Sequence, residues 1–214
     1  MDTVAQVKTT DSTFVRNSRP IQFIVNRMNI SDQDRKWITE VLIPQLEALG
    51  DRGIVLGRAT ASPEGPYDNN CRLAKGRRAS VDRLLGSYGI SKDRIRYDVV
   101  PEDYALLQTL MRIGKDKRFH EVDSLMNRYG DNSARLKEAM KRYDGGKLWR
   151  YVLKEYYPVL RAVRIMAIDK RQLLGLDDNG LTSQPLAVMP TTVPNNVQLN
   201  IPVFPYSDYT VLPR

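Results

Sequence analysis

Three segments with strand character alternate with two helical ones in the first hundred residues of this chain, and that order limits the folds open to it. The run 21–25, Ile-Gln-Phe-Ile-Val, is rich in β-branched and aromatic residues. The run 54–56, Ile-Val-Leu, is short and wholly apolar, and 94–100 alternates polar with apolar side chains, as a strand with one buried face does. Between the first two, Trp37, Ile38, Val41, Leu42, Leu46 and Leu49 recur at helical spacing. Ser31 with Asp34 three residues on predicts the start of that helix, a capping-box-like pair, and Pro44 predicts a kink or break within it. Between the second and third strands, Leu73, Val81, Leu84 and Leu85 mark one face of a second helix that ends by Gly86 or Gly89. The expected class is α/β, an α+β two-layer sandwich: a βαβαβ-type sheet with helices on one face.

Beyond residue 100 the pattern turns helical. Pieces are predicted around 102–113, 119–129 and 132–143, then a stop at Gly145-Gly146 and a further helix from Leu148 that Pro158 ends. The stretch 159–168 reads as a fourth strand, so 101–144 is a helical insertion before the last helix–strand pair. Residues 1–19 read as a flexible N-terminal segment, 20–170 as the domain, and 171–214 as an extended, proline-rich tail. In that tail Pro185, Pro190, Pro194, Pro202, Pro205 and Pro213 exclude a long helix, and 197–201 alternates as an edge strand would. It is expected to lie against its own domain or a neighbouring copy, or to dock on a protein partner by strand addition.

Residue counts narrow the chemistry. Cys71 is the one cysteine and His120 the one histidine, so neither an internal disulfide nor a thiolate zinc cluster can form, and any histidine-based nucleophile system would rest on His120 alone. His120 reads as a capping or surface residue and Cys71 as a small helix residue. Many acids are present, but no spacing singles out a catalytic pair. No enzyme activity, metal or cofactor is expected. No run reaches the roughly 18 apolar residues of a membrane span, and the first residues have neither a basic head nor an apolar core of a signal peptide. The net charge of +8 suits an anionic partner.

The stretch 61–85 concentrates most of the candidate site. Ala61-Ser62-Pro63-Glu64-Gly65 enforces a loop after the second strand, and Asn70, Leu73, Ala74 and Arg77 follow on the helix behind it. These residues resemble the signature of the OmpA-like C-terminal (peptidoglycan-associated) domain family, a strand and loop followed by Asn-x-x-Leu-Ser-x-x-Arg-Ala. The loop is similar to an ASPEG-loop branch of Gram-negative envelope proteins, and 145–165 also resembles that branch. The resemblance covers about residues 20–170. It implies a periplasm-facing, outer-membrane-associated domain, on a chain trimmed of its leader, that binds the diaminopimelate of peptidoglycan through a loop Asp and the helix Arg. Arg77 matches that arginine, whereas Ser62 stands where the Asp belongs, with Glu64 as a substitute two residues on. An arginine and a carboxylate suit the two ends of an amino-acid zwitterion.

The candidate ligand-binding residues are therefore Arg77, Asn70, Ser62, Glu64 and Leu73, with Asn70 expected to cap the helix as well. Removal of Arg77 is expected to cost ligand binding but not folding. Two other readings compete with the peptidoglycan anchor. One is a protein-interaction module that has lost its glycan. The other is a cytoplasmic RNA-binding α/β domain, supported by charge and scattered tyrosines but lacking an aromatic RNP strand or a GXXG loop, so nucleic acid is not the expected partner.

Overall fold

A computed structural model describes residues 12–173 and shows an α/β fold built on one four-stranded sheet. The segment read as an edge strand at 197–201 lies outside the described residues. Strands β1 (Arg19–Gln22), β2 (Gly53–Ala61), β3 (Ile95–Glu102) and β4 (Ala162–Asp169) lie in the order β1-β4-β2-β3. β2 runs parallel to β3 and antiparallel to β4, and β1 runs antiparallel to β4. β2 is buried along its whole length, as a central strand covered on both faces must be.

One face carries Val55, Ala59, Val163, Ile165, Ile21 and Ile95. Against it pack the long helix 32–48 and α4 (Tyr67–Ser87), whose Val81 and Leu85 enter that core. The opposite face carries Ile54, Leu56, Met166 and Ile168, and the helical insertion covers it. That insertion comprises α5 (Tyr104–Ile113), α6 (Phe119–Tyr129) and α7 (Ser133–Arg142), continued by α8 (Lys147–Glu155) and α9 (Tyr157–Leu160). Helices therefore clothe both faces, and the insertion adds a layer to the sandwich read from the first hundred residues.

Three local features differ from the sequence reading. Pro44 does not break its helix. α2 (Asp32–Trp37) passes through a π-helical stretch, Ile38–Leu42, into α3 (Ile43–Ala48), and the Ile43 amide donates to Ile38 five residues back. The widened turn accommodates a proline that has no amide of its own to donate. Ser31 caps this helix as its spacing predicts, accepting from the Asp34 amide at 3.1 Å. Second, Ser12–Asn17 forms a short helix, α1, with Phe14 and Val15 in the core, which corrects the flexible reading of 12–19. Arg164 holds it down, donating to the Val15 and Ser18 carbonyls. Third, 157–160 is helical and β4 begins only at Ala162, because Tyr157 and Leu160 bury themselves from a turn of helix rather than from a strand. A last short helix, α10 (Lys170–Leu173), follows β4.

Candidate functional site

β2 ends at Ala61, the loop 62–66 turns the chain, and α4 begins at Tyr67 behind Pro66. Asn70, Leu73, Ala74, Arg77, Val81 and Leu85 form the buried stripe of α4, so the loop and the start of this helix enclose the same small region. The structure brings Ser62, Glu64, Asn70 and Arg77 together around it, with Leu73 buried on the same helix face.

Arg77 has no exposed surface. Its Nη1 donates to the Thr60 carbonyl at 3.0 Å, its Nε donates to the Arg27 carbonyl at 3.3 Å, and the guanidinium lies 5.3 Å from the Phe23 ring centre. Nη2 is buried without a hydrogen-bond partner. Burial, reinforced by the charge of Arg161 and opposed by that of Glu64, pulls the Arg77 pKa down to about 10. The side chain therefore ties the end of β2 and the segment after β1 to α4. That weighs against the expectation that its removal would spare the fold.

Glu64 folds back over the loop. Its Oε1 accepts from the Ser62 hydroxyl at 3.0 Å and from Arg161 at 2.9 Å. The carboxylate in the neighbourhood of the missing Asp thus already has a cation, supplied by the residue just before β4. Asn70 is not the helix cap, because Pro66 occupies that position and the Asn70 amide donates to the Pro66 carbonyl. Its side-chain nitrogen instead donates to the Gly65 carbonyl at 3.3 Å and to Glu102 at 2.9 Å.

Glu102, the last residue of β3, joins the loop to the insertion. It also accepts from Lys137 at 2.8 Å and from Ser133 at 2.5 Å, both on α7, and Lys137 donates to the Gly65 carbonyl at 2.7 Å. Glu102 is almost wholly buried, so its charge depends on these three donors. Nearby, the hydroxyls of Tyr104 and Tyr157 are buried without partners, and burial raises both phenol pKa values far above the ordinary range. Glu102, Ser133, Lys137 and Arg161 escape a sequence reading because they reach the loop from three distant elements and share no local pattern.

The other arginines of α4 find partners on their own helix or beside it. Arg72 donates to Asn69, Arg83 to Ser80 and Arg78 to Asp82, and Arg78 also lies over the Tyr97 ring. Cys71 is half-buried and free; His120 is exposed and meets Phe119 edge-on. Among the described residues no cluster of His, Cys, Asp and Glu is arranged to hold a metal ion, and no helix is long and apolar enough to cross a membrane. The arrangement therefore presents three cations, Arg77, Arg161 and Lys137, against two carboxylates, Glu64 and Glu102. Arg161 is paired with Glu64 and Lys137 with Glu102, which leaves Arg77 as the cation without a paired carboxylate in this cluster. No protein-family model matches the chain, and no curated protein matches it.

Proposed function

We propose that this chain is a non-enzymatic cell-envelope domain of the OmpA-like kind, which anchors an outer-membrane or surface-assembly protein to peptidoglycan through the loop 61–70 and Arg77. The observation that carries this reading is the Arg77 guanidinium, fully buried behind the loop with Nη2 unpartnered and with Glu64 the carboxylate that acts on its charge. A guanidinium with an unpaired donor in a dry site is a strong partner for a carboxylate once the loop 62–66 moves aside to admit it, and the amides at the start of α4 add to its pull. The ammonium of the same diaminopimelate side chain would then fall to Glu64, whose Oε1 serves Ser62 and Arg161 and whose Oε2 is left for a third partner.

One observation favours a second reading, a protein-interaction module that no longer binds glycan. Ser62 brings no charge, Arg161 neutralises Glu64, and Lys137 staples Gly65 to α7. A loop so braced moves less readily around a ligand.

Titration of the full chain with a diaminopimelate-containing muropeptide, followed by amide chemical shifts, separates the two. Shifts concentrated at 61–70 and 77 support anchoring, and Ser62→Asp should then bind at least about tenfold tighter, near 1.4 kcal/mol. Silence at millimolar muropeptide, for both wild type and Ser62→Asp, would leave the interaction module.

A further inference from the structure

Helices α6 and α7 form a hairpin, and a groove of about 560 Å³ runs along it, lined by Arg128, Tyr129, Arg135, Glu138, Arg142 and Tyr143. Glu138 is the one carboxylate in that lining, and Lys141 takes it at 2.9 Å. All three arginines are exposed, and among the described residues none forms an ion pair with a carboxylate. Arg128 instead lies 5.3 Å from the ring centre of Tyr129. Tyr143 is itself an exposed aromatic. Tyr129 packs in part against the core, but the three arginines and Tyr143 have no task in the fold that would explain their gathering beside it.

Their spacing fits one kind of occupant. Arg135 and Arg142 are seven residues apart on α7, which is two turns, so they share a face about 10 Å apart along the axis. A polyproline II chain has three residues per turn and rises ~3.1 Å per residue, so every third side chain returns to the same face after about 9 Å. Grooves lined by aromatic rings are the usual seat of such chains. We infer that this groove docks an acidic, proline-containing segment of another protein, bound as a polyproline II helix with carboxylates at every third residue facing the arginines. The chain's own proline-rich stretch, 185–214, carries a single acid, Asp208, and does not supply that pattern.

The test uses the full chain and a dye-labelled peptide of Glu-Pro-Pro repeats, with an isomer of the same composition whose glutamates are contiguous. Fluorescence anisotropy at low salt should show the repeat peptide binding at least tenfold tighter than the isomer. The double variant Arg135→Glu, Arg142→Glu should lower its affinity at least tenfold with an unchanged circular dichroism spectrum. Equal binding of the two isomers, or undiminished binding by the folded variant, would overturn the proposal. So would tighter binding of a single-stranded oligonucleotide of equal charge, which would make the groove a general polyanion surface.

Discussion

Replacing Arg77 by methionine keeps most of its volume and removes its charge, which separates what the guanidinium does for the fold from what it costs. The variant leaves the Thr60 and Arg27 carbonyls without a donor, at about 1–3 kcal/mol for each buried group, and loses the contact with Phe23, about 1 kcal/mol. Against this stands the burial of the cation. A guanidinium drawn from its ordinary range down to about 10 carries a burden of about 3 kcal/mol, at ~1.4 kcal/mol per pH unit, and methionine removes it. The balance centres on a net loss of about 2 kcal/mol for Arg77→Met. Arg77→Ala adds a cavity and should lose about 4–5 kcal/mol. Urea unfolding followed by the fluorescence of Trp37 and Trp149, one helix on each side of the sheet, gives both the midpoint and a check that the two layers unfold together. A methionine variant as stable as the wild type would refute the tie between β2 and α4. One more stable by over about 1 kcal/mol would mean that the buried charge is kept for a ligand, since a charge held only for stability would not be improved by its removal.

Two further outcomes follow from burial. Tyr97, Tyr104, Tyr156 and Tyr157 have phenol pKa values raised first by burial, so above pH 10 the unfolded chain loses protons that the folded one keeps and stability falls. Tyr151 adds a fifth phenol raised in the same way, whereas Arg77 and Arg164, both pulled down to about 10, act in the opposite sense above that pH, two against five. Denaturation midpoints measured from pH 8 to 11 should therefore be level and then decline past pH 10; a rise there would contradict the burial of the phenols. Gly57→Ala should cost at least about 2 kcal/mol, because a Cβ at 57 would sit 2.1 Å from the Tyr97 ring, whereas Gly76→Ala meets only the flexible end of Met28 and should cost less than about 1 kcal/mol. Thermal melts of the two variants compare them directly, and equal losses would contradict the fit of Tyr97 over Gly57.

The elements best read from sequence are those whose periodicity is long. α4 shows its apolar stripe at 73, 81, 84 and 85, and α6 spans the limits expected of it, because eleven residues with apolar recurrence exceed what chance produces. Short pieces were illegible. α1 is six residues held by Phe14 and Val15 in a core formed elsewhere, and nothing local distinguishes it from a loose terminus. The apolar run 157–168 could serve a helix or a strand equally, and tertiary packing assigns its two halves differently. At the site, Arg77 was legible as a position but not as a buried clamp, since its partners are backbone carbonyls that any sequence supplies. Glu102 and Lys137 were not legible at all. Their meeting depends on the docking of α7 against the loop, which is a fact of packing.

The sheet order constrains how this chain can reach its fold. β1 is made first but its neighbour is β4, so residue 19 waits for residue 165 before it has a partner. β2 likewise finds β3 soon after synthesis but keeps its other edge open until the same late strand arrives. β4 is thus the closing piece of the sheet, inserted between two strands that precede it by more than a hundred residues. Contacts so distant in sequence slow folding, and an apolar central strand with one unpaired edge is exposed to wrong partners in the interval. During translation the parallel pair and α4 can assemble early, whereas β1, α1 and the second face of the sheet are held back until the ribosome has released β4. Truncation before 169 would leave a nascent chain with open strand edges, the species that chaperones capture.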